Sequence, residues 1–347
     1  MKRESVSGSE FRVLNNLTHG YFRLLTFDFR PLTFDFRLIC TLSNFSLFPF
    51  RGLGGRYINY KDMKIKELLL VLSCGFIFVS HAQNMTYAFD GEPAMVITHL
   101  DVSKFAVVDT ANLQVTYKLS YLNDTLQRTT RISDVMVLQV GRNYSKFYSQ
   151  LIYLNDSVCT KLSKQTTDVP LNDPGLQAYQ IFRTKNNLRV TNRMPYSDNV
   201  YTYNETIPKL KWKITTDTQT VAGYKCQHAS VEFRGRRYTA WFAPDIPVNL
   251  GPWKLGGLPG LILKVSDSND HYLFECIGIQ KTNALIKDFK WKDRTITIEE
   301  WKKLERKIYN RAGDYLKSNN IKMKVLRNDV WVNVEGELNV PYNPIER

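Results

Sequence analysis

The chain has 347 residues, of which 43% are hydrophobic, and a net charge of +14. This length and composition suffice for a packed core without stabilising disulfides or metals. Its Lys and Arg residues are scattered, with the densest runs at residues 209–213 and 233–237. Without a basic stripe or a known reading motif, nucleic-acid binding is not expected. An anionic surface is the more sensible electrostatic partner, and a solvated basic face is the simplest interpretation.

Residues 63–82 have the pattern of a secretory signal peptide. Two lysines open the segment, an apolar run covers residues 68–79, and small residues lead up to Ala82, before Gln83. This order predicts export and cleavage between Ala82 and Gln83. The apolar run is shorter than the roughly 20 residues that a membrane-spanning helix needs. The alternative is lipidation at Cys74, but the chain stays apolar after that cysteine, where a lipoprotein normally turns polar.

Residues 1–62 do not fit in front of a signal peptide, which acts from the N-terminus. They contain the tandem copy LTFDFRPLTFDFR, and two short copies are too few for a repeat architecture. We predict that residues 1–62 are upstream sequence included by mistake, with a genuine long leader as the alternative. Residues 83–347 then form a single β-rich domain without a transmembrane span. Since residues 1–62 carry +4 and residues 63–82 carry +1, this domain retains +9 of the net charge.

The exported part is dominated by patterns typical of β-strands. Residues 113–121 alternate between apolar and polar side chains, which predicts a half-buried strand. Runs of strand-forming residues interrupted by turn residues predict hairpins. The hairpins fall at residues 134–149, 181–190, 223–244 and 261–279, with further strands at 199–203 and 211–215, a short helix at 150–163 and a loop at 166–175.

The strand at residues 236–244 is largely apolar on both faces, so a helix, a second sheet or a ligand is expected to cover each face. One face carries Tyr238, Ala240 and Phe242, and the other carries Thr239, Trp241 and Ala243.

The one strong helix is predicted after Thr297, which forms a capping-box pattern with Glu300. A strand is expected at residues 329–338. The predicted fold class is therefore mainly β (α+β): an antiparallel meander sheet, which could curve into a half-barrel, with a C-terminal helix packed on it. The apolar face of that helix carries Ile298, Trp301, Leu304, Ile308, Ala312, Tyr315 and Leu316.

Three cysteines remain after cleavage: Cys159, Cys226 and Cys276. An oxidising compartment allows one disulfide and leaves one thiol over. We predict the pair Cys226–Cys276, because both residues lie in predicted strands.

The usual catalytic motifs are absent from the sequence, including G-x-S-x-G, H-E-x-x-H and the Walker loop. The segment VVDTA at residues 107–111 touches the aspartic-protease pattern, but the second copy that this chemistry needs is missing. His99, His228 and His271 are too far apart in sequence for a metal signature. We therefore predict no catalytic residues, no cofactor and no metal.

The segment GPWKLGGLPGLILKV at residues 251–265 is the most distinctive in the chain. Its glycines permit positive φ and close backbone approach, while Pro259 restricts Leu258. One interpretation is a tight corner before a strand, beneath an aromatic residue such as Trp253. The other is a bare backbone surface that contacts a ligand or a partner.

This segment also carries a family resemblance, because GGLPGLIL resembles the hallmark of the GLPGLI family, exported proteins of Bacteroidota. Residues 145–149, 223–229, 233–254 and the closing NPIE resemble the family pattern as well, in order. The resemblance implies export and a β-rich fold, and it implies no established activity.

Two functional hypotheses follow. The first is a non-catalytic binding or carrier module in the periplasm, at the outer membrane or outside the cell, for an apolar ligand or an outer-membrane protein. Its candidate binding residues are Arg237, Tyr238, Trp241, Asp245, Trp253, Gly257, Pro259 and Gly260. The alternative is an envelope hydrolase that uses Arg236, Arg237, Asp245 or His228, which would have to converge in one pocket.

Overall fold

A computed structural model of the chain describes residues 85–90, 97–163, 176–327, 330–333 and 340–347. Within these ranges strands dominate, which confirms the predicted mainly β fold with helices packed on a sheet. The predicted signal peptide, the upstream segment and the loop at residues 166–175 lie outside the described residues. None of the helices in the described ranges is long and apolar enough to cross a membrane.

The regular structure of these ranges is as follows, in chain order. The strands are β1 (Met85–Asp90), β2 (Phe105–Thr110), β3 (Leu113–Tyr121), β4 (Ile132–Val140), β5 (Ser145–Ser149), β6 (Tyr179–Arg183), β7 (Asn187–Arg193), β8 (Val200–Thr206), β9 (Lys213–Val221), β10 (Tyr224–Phe233), β11 (Arg236–Ala243), β12 (Leu261–Asp267), β13 (Tyr272–Lys281), β14 (Leu285–Phe289), β15 (Asp293–Thr295), β16 (Ile321–Arg327) and β17 (Val330–Asn333). The helices are α1 (Gln150–Leu162), α2 (Ile298–Asn310) and α3 (Ala312–Ser318).

Twelve strands form one sheet, in the order β15-β8-β7-β6-β5-β4-β3-β13-β12-β11-β10-β9. β3 to β8 form one antiparallel meander and β9 to β13 another, since each strand pairs with the next in the chain. β3 and β13 join the two meanders through nine antiparallel residue pairs. The short β15 pairs in parallel with β8. The predicted antiparallel meander is therefore confirmed.

The large sheet is strongly curved. In the sheet order, β8 lies nine strand spacings from β10, a distance of about 43 Å in a flat sheet. Yet Arg234, in the turn after β10, places a guanidinium nitrogen 2.5 Å from the carboxylate of Glu205 on β8. The two ends of the sheet therefore face each other across a concave surface. The curvature that we predicted as a half-barrel is present, and β9 and β15 form the edges of the sheet within the described residues.

Local sequence explains the hairpins. In β3, Val115, Tyr117 and Leu119 are fully buried, while the residues between them are half-buried, as the alternation predicts. Arg234 and Gly235 connect β10 to β11 with φ values of 50° and 73°. Positive φ at both central residues is typical of the type I′ turn, whose twist matches that of the flanking strands.

The concave face holds the main core. Tyr117 of β3 and Tyr238 and Phe242 of β11 are all buried there, and the Tyr117 hydroxyl donates to the carbonyl oxygen of Ile262 on β12 at 2.8 Å. On the opposite face of β11, Trp241 is only half-buried. The prediction that both faces of β11 are covered thus holds fully for the concave face and only in part for the outer one.

The helices begin at side-chain caps. The Ser149 hydroxyl accepts a hydrogen bond from the Ile152 N–H at the start of α1, and Thr297 and Glu300 form the predicted capping box at α2. The single helix predicted after Thr297 is wrong in one respect. At Arg311 the backbone leaves helical geometry (φ −134°, ψ 49°), so that α2 and α3 are separate. The apolar face of α2 and α3 contributes Ile308, Ala312 and Leu316 to a second core. This core also contains Met194, Tyr196, Ile321 and Met323.

Two smaller sheets complete the described structure, with strand orders β1-β16-β17 and β14-β2. β17 accounts for residues 330–333 of the strand predicted at 329–338, and the rest of that prediction lies outside the described residues.

Candidate functional site

The glycine-rich segment forms a tight corner before β12. Gly260 has a φ of +156°, and a Cβ at this residue would lie 2.3 Å from the carbonyl oxygen of Ala243. A Cβ on Gly256 would lie 2.7 Å from a guanidinium nitrogen of Arg183 and 2.8 Å from the carbonyl oxygen of Asn249. These contacts are with the chain itself and leave no room for a side chain. They support the structural interpretation of the segment.

The eight predicted binding residues do not form one site. Tyr238 and Trp253 are 1% and 5% exposed, and their ring centroids are 6.1 Å apart within the core. Arg237 is exposed on the outer face of β11, where Trp241 also lies. The other four surround the corner before β12: Asp245, Gly257 and Pro259 are exposed, and Gly260 is buried.

The residues of the hydrolase hypothesis are also apart. Arg236 is buried on the concave side, whereas its neighbour Arg237 is exposed. His228 packs against Trp241 on the outer face, with ring centroids 5.1 Å apart, and Asp245 is exposed after β11. These four candidates therefore do not converge in a pocket. Nor does any group of three His, Cys, Asp or Glu residues in the described ranges lie close enough to hold a metal ion.

The predicted disulfide is not formed, because Cys226 and Cys276 are both free thiols and buried. Cys226 lies on β10 and Cys276 on β13, in the same core, but each thiol contacts a backbone carbonyl of its own chain segment. The sulfur of Cys226 is 3.5 Å from the oxygen of Tyr224, and that of Cys276 is 3.7 Å from the oxygen of Gly278. Burial raises the pKa of Cys276 to about 11, so the thiol stays protonated and unreactive.

A cavity lies between the concave sheet face, helix α2 and the C-terminal residues 340–346. It has two adjoining chambers of about 390 Å³ and about 100 Å³. The larger chamber falls within the range of roughly 300–1,000 Å³ that is typical of ligand sites. The chambers share four aromatic residues, three amides and one carboxylate: Tyr121, Tyr179, Trp301, Tyr309, Asn123, Gln177, Asn192 and Glu305.

Besides Arg193 and Glu346, whose other atoms form ion pairs, two groups of this lining have a buried polar atom without a hydrogen-bond partner among the described residues. They are the hydroxyl of Tyr179 on β6 and the side-chain nitrogen of Asn192 on β7. Burial raises the pKa of Tyr179 well above its usual range, so this hydroxyl remains a donor. An unpaired buried group costs about 1–3 kcal/mol. A ligand that bonds to both groups would recover this free energy.

The cations in the lining are already paired with carboxylates. Two guanidinium nitrogens of Arg193 lie 2.6 Å and 3.1 Å from the carboxylate oxygens of Asp156 on α1, and both side chains are almost fully buried. Lys254, which is 0% exposed, pairs with Glu205 and Glu346. The third cation, Lys302, lies 3.8 Å from Glu346. Because these charges are compensated, the lining does not favour an anionic ligand.

Glu305 of α2 is a titratable group of the lining whose pKa lies near neutral pH. Burial raises the pKa of its carboxyl to about 7, and the nearby Glu346 carboxylate acts in the same direction. The Tyr342 hydroxyl opposes this shift by donating a hydrogen bond of 2.8 Å to Glu305. Near neutral pH this group exists in both protonation states, so it can either donate to or accept from a ligand.

Sequence reasoning did not find the cavity. Tyr179 and Asn192 are paired neighbours on β6 and β7, but Tyr121 lies on β3, three strands from β6 in the sheet, and local sequence does not show that it lines the same cavity. For residues 340–346, which form the C-terminal wall of the cavity, the sequence held one indication of importance. This was the agreement of the closing NPIE with the family pattern.

Comparison with known proteins gives one family match. Residues 140–300 match the family model described as N-glycanase peptide, N-terminal domain. The matched region runs from the end of β4 to the first turn of α2. It includes Tyr179 and Asn192 but not the C-terminal wall.

Two solved structures, of PNGF-II in the P21 and C2 space groups, are similar at 16% sequence identity and a TM-score of 0.39. They cover 57% of this chain, and 33% and 32% of their own chains. This chain therefore spans about a third of their length. No curated protein matches it.

Proposed function

We propose that this chain is an exported, non-catalytic binding module of the cell envelope and a member of the GLPGLI family. The cavity carries the proposal, because unpaired hydrogen-bonding groups lie beside aromatic rings in its lining. The residues that a hydrolase would need are apart, which favours binding over catalysis. The partnership with an outer-membrane protein stays a prediction.

The lining favours a saccharide rather than the wholly apolar ligand suggested by the sequence. An apolar ligand would leave Tyr179 and Asn192 unpaired, at the cost of two buried polar groups. A sugar ring offers hydroxyl groups to such partners and an apolar face to Trp301 and the tyrosines. The name of the matching family, an N-glycanase domain, supports the same ligand class.

Isothermal titration calorimetry of the purified chain with N,N′-diacetylchitobiose and maltose tests this proposal. We expect saturable binding of at least one disaccharide. The substitutions Tyr179→Phe and Asn192→Leu should each weaken binding by roughly 5–10-fold, since each removes one hydrogen bond. Tyr148→Phe is the matched control, because Tyr148 is buried outside the cavity lining and should leave binding unchanged.

Palmitate serves as the apolar competitor in the same titration. Binding of palmitate without binding of either disaccharide would retain a carrier role and reject the saccharide. Failure of all three probes to bind would count against the binding module itself. Hydrolysis of a glycopeptide by the purified chain would contradict a non-catalytic role.

Export is tested by the intact mass of the chain isolated from its native cell envelope. We expect a mass that begins at Gln83. A mass that includes residues 1–62 would contradict both the cleavage and the proposed start of the protein.

A further inference from the structure

The C-terminal tail, residues 340–347, lies on the concave side of the sheet without forming a helix or a strand. Its contacts come from residues far away in sequence. Tyr272 donates its hydroxyl to the Asn343 carbonyl at 2.6 Å, across a separation of 71 residues. The Asn343 side-chain nitrogen donates to the Leu122 carbonyl at 2.7 Å, across 221 residues. The tail is therefore held by tertiary contacts rather than by local structure.

Three consecutive main-chain carbonyls of the tail are recognised by side chains of the sheet. Tyr272 bonds the first, at Asn343. Arg236, whose side chain is 1% exposed, donates to the second at Pro344 (2.5 Å) and to the third at Ile345 (3.2 Å). Main-chain hydrogen bonds of this kind give affinity for an extended peptide, and side-chain pockets give specificity.

Two tail side chains supply that specificity. The Asn343 amide accepts a 2.7 Å hydrogen bond from Arg236 through its oxygen while its nitrogen donates, so that both ends of the amide are used. The Glu346 carboxylate pairs with Lys254, and it lies 3.6 Å from Arg234 and 3.8 Å from Lys302. An aliphatic residue and proline separate the two polar ones. We call the surface formed by Leu122, Arg236, Lys254 and Tyr272 the tail groove.

We infer that the tail groove is a peptide-recognition site for the pattern Asn-Pro-aliphatic-Glu, and that it accepts the C-terminal tail of a second copy of this chain. None of these contacts depends on the tail and the groove belonging to one molecule. A second copy offers the same side chains and carbonyls. The chain's own tail competes at the effective concentration of a tethered ligand, which is in the millimolar range for short connections. Exchange of tails between copies therefore increases with protein concentration. It also increases when the binding of a chain's own tail to its tail groove is weakened.

The test uses the full chain with Asn343→Ala and Glu346→Gln. These substitutions weaken the binding of its own tail but leave the residues of the tail groove unchanged. A fluorescent octapeptide with the sequence VPYNPIER is titrated while its anisotropy is measured. We expect saturable binding that is at least about tenfold tighter than that of a peptide with the same two substitutions. The unsubstituted chain should bind the peptide more weakly, because its own tail fills the groove. Absence of binding to the folded variant, or equal binding of both peptides, would overturn the inference.

A second measurement needs no substitution and decides the matter if the variant does not fold. Lys302 and Glu346 lie 3.8 Å apart, within reach of a carbodiimide crosslink. In a mixture of ¹⁵N-labelled and unlabelled chain, tail exchange produces crosslinked peptides of mixed isotope content. The mixed fraction should rise with protein concentration. Crosslinks that remain within single copies at every concentration would show that the groove takes only its own tail.

Discussion

The glycine-rich corner and the cavity differ in how completely their atoms are packed and hydrogen-bonded by other parts of the chain. At the corner, Gly256 and Gly260 sit against backbone and side-chain atoms, and Trp212 donates its indole N–H to the Gly256 carbonyl at 2.9 Å. In the cavity, by contrast, Tyr179 and Asn192 keep unpaired polar atoms. The most distinctive segment of the sequence therefore reflects a backbone geometry that requires glycine. The groups available to a ligand come from residues that look ordinary in sequence.

The largest effect is expected at the corner. Gly260→Ala should lower the free energy of unfolding by about 4 kcal/mol, because the new Cβ meets the Ala243 carbonyl and φ is positive. Gly257→Ala is the control. Its φ is +87° but no atom lies within 4 Å of the added Cβ, so about 1 kcal/mol is expected. Urea unfolding measures both, and equal losses would contradict the close-approach explanation.

Lys254 lies in the corner segment but its ammonium group reaches the cavity wall. Lys254→Met should cost about 3 kcal/mol, since it leaves Glu205 and Glu346 with fewer partners in a buried site. Lys264→Met is the matched control, because its 3.0 Å pair with Glu275 is partly exposed to solvent and should contribute less than about 1 kcal/mol. Comparable losses in thermal unfolding would show that the buried pairs have no special role.

The cavity should make stability depend on pH. The folded pKa of Glu305 is raised from 4.5 to about 7, so this group stabilises the fold below pH 4.5, and its contribution is lost as the pH rises through 7. Between pH 6 and 7 the loss should approach about 1 kcal/mol. Asp134, whose pKa is raised by burial to about 6, acts in the same direction at lower pH.

The variant Glu305→Gln isolates this effect, because it cannot titrate. Its free energy of unfolding should change less between pH 6 and 7 than that of the parent chain, as measured by urea unfolding at both values. Identical pH profiles would mean that Glu305 keeps an ordinary pKa. Above pH 7 the comparison is less direct, because burial lowers the pKa of Lys146 to about 7 and its effect on stability has the opposite sign.

The smallest effect has an unusual sign. Tyr179→Phe should leave the free energy of unfolding within about 0.5 kcal/mol, or raise it, because the substitution removes a buried hydroxyl without a partner. Tyr272→Phe, in contrast, removes a hydrogen bond to Asn343 and should cost about 1 kcal/mol. A larger loss for Tyr179→Phe than for Tyr272→Phe would show that the Tyr179 hydroxyl is hydrogen-bonded in the folded chain.

Much of the fold could be predicted because its determinants are local. The alternation in β3, the turn residues Arg234 and Gly235 and the capping box at Thr297 each act within a few residues. A curved sheet was predicted in outline, but how closely its two ends approach could not be, since that is visible only in contacts such as Arg234 with Glu205. The break at Arg311 was missed because the apolar periodicity continues from α2 into α3.

The cavity depends on that same long-range information. Alternation does place Tyr121 on the face of Tyr117, which is concave, but no local pattern brings it next to Asn192 of β7. The disulfide prediction failed for a related reason. Correct strands for Cys226 and Cys276 did not fix the strand order, in which β11 and β12 separate β10 from β13 by about three strand spacings of roughly 5 Å each, farther than a disulfide spans.

The pairing of β3 with β13 has a kinetic consequence. Each meander pairs only strands that are neighbours in the chain, and its hairpins, such as β10–β11, close short loops and form quickly. The β3–β13 junction instead joins Tyr121 to Tyr272 and must close a loop of about 150 residues. Non-local pairing of this kind slows folding. We therefore expect the two halves of the sheet to form first and the junction between them to limit the folding rate.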